Sequence, residues 1–414
     1  MSRQTPRCTG NQLRRSIAAC ALVATVLSAA ACAPVNNDGA NDGEKQKPPE
    51  ITFAGRLVIV DGQTVADVDG GSGARRDVSV LDGELGWSGF TALRDDGALV
   101  YESIVDGVSS IRLSDGSDDT VLASEVTAVH GHSDTMVIVS HPGSTHAVPF
   151  DGGGAIDLRL EEVAAAAISP RGSEIAFSSA IPTATAESLT GELEQRLAVR
   201  TLAESGPGEE VDRGWYTFRI HWLDDEALAY TRYPFGGADL GDVVLVDRRS
   251  NETTLLASAA RIIDADGARR LLAIAHGDNS DAGMVSIVDC SDPSAAIITD
   301  FESPPADSID SASLVTRDLA LVVAFRHEDS TSTLVKFDAS AGTQRTLSEF
   351  GGVLVPEIRA HPSASIVLFV TERQGAAPGE VHRTVNVYDL DRDRIAELAE
   401  GSVEGLLTLV GVIE

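Results

Sequence analysis

The sequence predicts an all-β chain made of repeated four-stranded units, and three observations carry that prediction. An apolar run following a turn recurs eight times, with starts about 44 residues apart on average. In seven of the eight copies the next strand alternates and closes on an Asp. A further short strand then follows the turn, as in DTVLAS, ETTLLAS, AAIITD and RIAELA.

The units follow in order along the chain. The first reads GRLVIV (55–60), then TVADVD ending on Asp69, then DVSVL. The second has GALVYE (97–102) and a strand closing on Asp115, and the third TMVIVS (135–140) and a strand closing on Asp151. In the fourth, EIAFSS (174–179) is followed by LAVRTL (197–202), which lacks the Asp. ALAYTR (227–232) leads to Asp247, LLAIAH (271–276) to Asp289, LALVVAF (319–325) to Asp338 and SIVLFV (365–370) to Asp389. Asp suits the end of such a strand because its carboxylate accepts from backbone two residues on and holds a hairpin turn.

These runs are apolar almost throughout, as expected of strands covered on both faces by neighbouring sheets. Stacked four-stranded units of this period imply a β-propeller with strands a to d in each blade. The first unit lacks a complete strand a, while the chain ends on a lone apolar run, LLTLVGVI (406–413). Donating that run to the first blade would pair its open edge and close an eight-bladed ring. An irregular first segment would leave seven blades.

ISPRGSEIAF (168–177), with the degenerate copies HWLDDEALAY (221–230) and ALRDDGALVY (92–101), resembles the WD40-like, TolB-type propeller repeat. The resemblance covers nearly all of residues 51–414. It implies a binding platform rather than a reaction, because such repeats serve unrelated proteins. Most turns depart from the pattern by losing Ser-Pro or Gly, and no counterpart of TolB's N-terminal domain is seen.

Upstream of residue 51 the chain reads as targeting. Arg14 and Arg15 precede an uncharged stretch too short to span a membrane, and Ala29, Ala30 and Ala31 lead into Cys32. This resembles a bacterial lipoprotein signal over residues 1–31, with Cys32 as the lipidated residue, although Ala29 stands where Leu is commonest. Secretory cleavage elsewhere and twin-arginine export are the alternatives. Residues 32–50, rich in Asn, Asp, Gly and Pro, form a flexible tether. Residues 51–414 are the propeller domain.

Charge narrows the partners. The formal net charge is −31, and without residues 1–31 the balance becomes 63 acidic against 28 basic residues. Such a surface repels phosphate backbones and anionic lipid head groups, so no nucleic-acid partner is expected. Membrane attachment would come through the lipid anchor, and the chain is expected to be a monomer.

The search for chemistry returns little. GWSGF (86–90) misses the nucleophile elbow by carrying Phe90 in place of Gly, and no phosphate-binding loop occurs. HGHSD (130–134), with His141 and His146 nearby, has a metal-compatible spacing but reads as a solvated turn. Cys290 follows an apolar strand with no motif beside it and reads as a half-buried small side chain, and with Cys32 lipidated no intramolecular disulfide is available. No catalytic residue, metal site or cofactor is therefore expected.

The b-to-c loops are long in the last five units, and insertions gathered on one face of a repeat protein often mark a binding face. Trp87, Trp215, Tyr216, Tyr233 and Phe235 fall in the segments opening there and are the candidate ligand-binding residues. Packing at blade junctions is the competing role for them. Trp222 belongs to the core. The expectation is a membrane-anchored extracytoplasmic lipoprotein binding a protein, peptide or glycan. A propeller-type lyase or lactonase with a metal at the central channel is the alternative, and an envelope spacer a third.

Overall fold

The computed structural model describes residues 51–414, except 87, 117, 161–162, 182–193, 235–239, 278–282, 293–295, 307, 378–379 and 403–405. These residues belong to one compact unit. The expected signal segment, Cys32 and tether lie outside them.

The chain is all-β and arranged as four-stranded antiparallel sheets of a propeller-like kind. The first unit holds β1 (Arg56–Asp61), β2 (Thr64–Asp69) and β3 (Arg75–Val80). In the second, β4 (Glu84–Leu85) and β5 (Thr91–Leu93) both pair β6 (Leu99–Val105), followed by β7 (Val108–Ser114) and β8 (Asp119–Ser124). The third comprises β9 (Ala128–His132), β10 (Met136–His141), β11 (Ser144–Pro149) and β12 (Ile156–Asp157). The fourth comprises β13 (Val163–Ile168), β14 (Glu174–Ala180), β15 (Gln195–Thr201) and β16 (Glu209–Gly214).

A seven-stranded sheet follows, from β17 (Tyr216–Trp222), β18 (Ala227–Pro234) and β19 (Gly241–Asp247) through β20 (Glu252–Asp266) to β21 (Leu271–His276), β22 (Met284–Asp289) and β23 (Ile297–Glu302). Here β20 is one 15-residue strand where the repeat predicts two. Its first half pairs β19 and its second half β21, with Ala260 paired to both. ETTLLASAARIIDAD contains no Gly or Pro to end a strand, so the last strand of one unit runs on as the first strand of the next.

The last units are β24 (Ser308–Val315), a 3-10 turn (Thr316–Asp318), β25 (Ala320–Arg326), β26 (Ser332–Asp338) and β27 (Thr343–Phe350), then β28 (Val353–Ala360), β29 (Ile366–Gln374), β30 (Val381–Asp389) and β31 (Arg394–Glu400). The C-terminal β32 (Leu407–Ile413) returns to the start of the fold and pairs antiparallel with β1.

Packing explains the apolar b strands. On β21, Leu271 and Ala273 join a cluster with Leu314 and Phe325 of the next unit, while Leu272 and Ile274 face Leu223 and Ala229 of the preceding one. Successive units share such clusters, and another brings Ile366 and Leu368 against Leu57, Ile59 and Leu409. Both strand faces are therefore dry, and burial of each Leu, Ile or Phe contributes roughly 1.5–3 kcal/mol.

All seven closing Asp residues accept from a turn amide, five of them two residues on as the repeat predicts and Asp115 and Asp338 three residues on. Asp69 accepts from the Gly71 amide and also from the Ser72 amide at 2.7 Å, Asp115 from Asp118 at 3.0 Å, Asp151 from Gly153 at 2.9 Å and Asp247 from Arg249 at 2.8 Å. Asp289 accepts from Ser291 at 2.9 Å, Asp338 from Ala341 at 3.0 Å and Asp389 from Asp391 at 3.0 Å. The fourth unit, without the Asp, uses buried Arg200 instead. Its guanidinium donates to Gly206 O in the following turn at 3.1 Å and to Leu158 O of the third unit.

Two side-chain expectations need correction. Cys290 is fully buried rather than half-buried, and burial pushes its thiol up to about 12. His130 and His132 lie in β9, paired through Gly131↔Ile138 and His132↔Val137, rather than in a solvated turn. The turn begins only at Ser133, whose amide donates to Met136 O.

Candidate functional site

The geometry that offers a site is the set of cavities lined by the first strands of the units. Three of these cavities share walls. One recess, 660 Å³, is bounded by β9, β13, β17 and the end of β20, with His130, His132, His221, Trp222, Asp134 and Asp224 among its lining residues. A second, 530 Å³, is bounded by β5, β9 and β32 and shares His132 and Asp134 with the first. The third, 660 Å³, lies between β20, β24 and β28, sharing Ala265 with the first and Arg359 with the second.

Sequence builds the first recess directly. The inner strand of the fourth unit is VAAAAI, so methyl groups stand where other units place larger side chains. Small residues also allow close backbone approach: a Cβ on Gly131 would meet Ala166 O at 2.7 Å, and one on Gly267 would meet Leu223 O at 2.6 Å. Trp222 is partly buried and its indole Nε1 donates to Ala167 O at 3.1 Å, which fixes the ring across the alanine wall.

Polar groups then punctuate this wall. His130 contacts Ser140 Oγ through Nε2 at 2.7 Å, and burial lowers its pKa. His221 is lowered further, to about 4, by burial first and by the Arg219 cation second. Its imidazole is therefore neutral at ordinary pH, able to donate from one nitrogen and accept at the other. Asp224 accepts from the Glu226 and Ala227 amides, both at 2.8 Å, and pairs with Arg270. In the third cavity, burial raises the Asp264 carboxyl to about 6 although it accepts from the Leu314 amide at 2.6 Å.

The five aromatic candidates do not come together as one surface among the described residues. Trp87 and Phe235 lie outside those residues, as do parts of four of the five long loops. Trp215 precedes β17 and is 38% exposed. Tyr216 packs into the junction between the fourth and fifth units, with the Arg232 guanidinium 5.2 Å above its ring. Tyr233 lies under Arg219 at 5.4 Å, and its hydroxyl is buried without a hydrogen-bond partner among the described residues. Trp215 and Trp222 flank opposite ends of β17, some 20 Å apart for a seven-residue strand.

Neither of two serine arrangements among the described residues has its hydroxyl donating to an imidazole base that could activate it. Ser88 of the GWSGF segment hydrogen-bonds Glu102 rather than an imidazole. A His276, Ser286 and Asp300 array, which sequence reasoning missed, has Nε2–Oγ and Oγ–Oδ1 distances of 2.7 and 2.6 Å. Its serine is fully buried and donates to the carboxylate, so its oxygen is not activated by the histidine. No three His, Cys, Asp or Glu among the described residues are grouped to hold a metal ion.

No protein-family model and no curated protein matches the chain. Solved structures do. A prolyl endopeptidase is similar at TM-score 0.56 and 12% identity over 77% of this chain and 50% of its own. A structure described as the eukaryotic initiation factor is similar at TM-score 0.53 and 10% identity, over 89% of this chain and 90% of its own. TolB from Acinetobacter baumannii gives a TM-score of 0.40 at 12% identity, over 86% and 65% of the two chains. The chain thus spans about half the length of the prolyl endopeptidase. At these identities the similarity concerns fold alone.

Proposed function

We propose that this chain is a lipid-anchored extracytoplasmic protein whose eight-bladed propeller binds a protein, peptide or glycan at its central channel. The eight-blade reading is supported by dividing the seven-stranded sheet at Ala260 and counting β32 with β1. Closure of the ring is supported by the apolar cluster joining the last unit to the first. The lipoprotein assignment rests on Arg14, Arg15 and the Ala29–Ala31 approach to Cys32.

One observation carries the binding role: the 660 Å³ recess with an alanine wall, a fixed indole and the neutral His221 imidazole. Apolar lining with a few convergent polar groups is the usual composition of a binding site. The loop-face alternative retains the exposed Trp215. Capture from intact cells with wild type, Ala167→Leu and Trp215→Ala separates the two. Loss of the captured ligand on filling the recess, with Trp215→Ala unaffected, is expected. Normal capture by a folded Ala167→Leu protein would reject the channel site.

A further inference from the structure

Away from the channel, the third unit carries two histidines that have no hydrogen-bond partner among the described residues. His141 ends β10 and His146 lies in β11, across the turn at Pro142 and Gly143. His141 pairs with Ser144, and His146 with Val139. The two imidazoles are therefore diagonal neighbours on one face of a tight hairpin. Their ring centroids are 4.8 Å apart and their planes inclined at 50°. Both are half-buried, so solvent and ions reach them while the strands hold their backbones fixed.

That separation has a chemical meaning. For metal–nitrogen bonds of about 2.0–2.1 Å, with each ring centre about 1.1 Å behind its nitrogen, two imidazoles at roughly 90–109° on one ion have centroids roughly 4.5–5.2 Å apart. The observed pair lies inside that interval before any ion arrives. We propose that His141 and His146 form a two-imidazole chelate for a divalent transition metal ion, with Cu2+ bound most tightly and Ni2+ and Zn2+ following.

Two further features agree. The formal charge of −31 raises the local concentration of cations around the protein. The residue opposite His146 on β12 is Asp157, a carboxylate able to accept from a metal-bound water. Because no third protein ligand completes the group among the described residues, the remaining coordination positions go to water or to a donor from another molecule.

The test is Cu2+ titration of the full chain, read by electron paramagnetic resonance and by metal-dependent melting. A spectrum with two imidazole nitrogens on one ion is expected. His141→Gln and His146→Gln should each weaken binding at least about tenfold, while His382→Gln leaves it unchanged. Ni2+ and Zn2+ should raise the melting temperature of the wild type and not of either variant, because an ion bound across two strands stabilises only the folded state. Melting without metal checks that the variants fold. Equal Cu2+ affinity in both variants would overturn the proposal and place the ion elsewhere, the channel histidines included. Should one variant fail to fold, the other decides, and a wild-type spectrum with one nitrogen or none sinks the chelate.

Discussion

Gly55 lies so close to Ile413 that a Cβ on the glycine would stand 2.3 Å from the Ile413 carbonyl oxygen. The contact joins the beginning of the fold to its end, since Arg56 pairs Ile413 across β1 and β32. Gly55 also has φ +91°, a region that L side chains avoid.

Gly55→Ala should therefore destabilise the protein by at least about 2 kcal/mol, with both strain and steric overlap contributing. Deleting residues 406–414 should go further, exposing the apolar edge of β1 and producing aggregation or loss of cooperative unfolding. Denaturant melts of both proteins check this, and wild-type midpoints would mean that β32 is dispensable.

Asp389 tests the turn device. It is buried and accepts from the Asp391 and Arg392 amides at 3.0 and 2.9 Å. Asp389→Ala should cost about 1–3 kcal/mol, and Asp389→Asn less, because the amide oxygen still accepts. Equal losses in the two variants would point to charge, through Arg392, as the cause instead.

The junction aromatics separate by environment. Tyr233→Phe should be neutral or stabilising by up to about 1 kcal/mol, since it removes a buried hydroxyl without a partner among the described residues. Tyr216→Ala should cost about 2–3 kcal/mol through lost packing against Phe218 and Arg232. Trp215→Ala should change the melting temperature little, as its ring is exposed. Thermal melts of the three variants would reverse this ranking if Trp215 were the packed residue.

Two half-buried groups lining the cavities oppose each other with pH. Asp264 has a folded pKa raised to about 6, so the unfolded state loses its proton first and stability falls as pH rises from about 4 to 6. His221 has a folded pKa lowered to about 4, so the unfolded state gains its proton first and stability falls as pH drops from about 6.5 to 4. Asp264→Asn should accordingly stabilise at pH 7 by about 2 kcal/mol and hardly at pH 4, whereas His221→Gln should stabilise at pH 4 relative to pH 7. Denaturation at the two pH values, giving the same shift for each variant at both, would remove these assignments.

Membrane attachment is tested at Cys32. Cys32→Ser should release the protein from the membrane fraction or leave it unprocessed, because a polar tether has no membrane affinity of its own. Wild-type fractionation with normal processing would exclude lipidation at this residue.

Residues near one another in the chain were enough to reveal the repeat. A turn Asp reaches an amide two or three positions on, and a b strand is apolar on both faces in every unit, so period and turn chemistry are local properties. The lone C-terminal run also announced its need for a partner, and β1 is where it pairs. Tertiary structure alone decided the rest. Whether HGH continues a strand or opens a turn depends on its register with Val137 and Ile138, which lies outside those three residues. The fusion of two strands at Ala260 depends on pairing to Gly241 and His276 at once. The recess arises because a run of alanines in one unit stands between larger side chains from the units on either side. Its depth is a difference between neighbours that are distant in sequence, and no single segment encodes it.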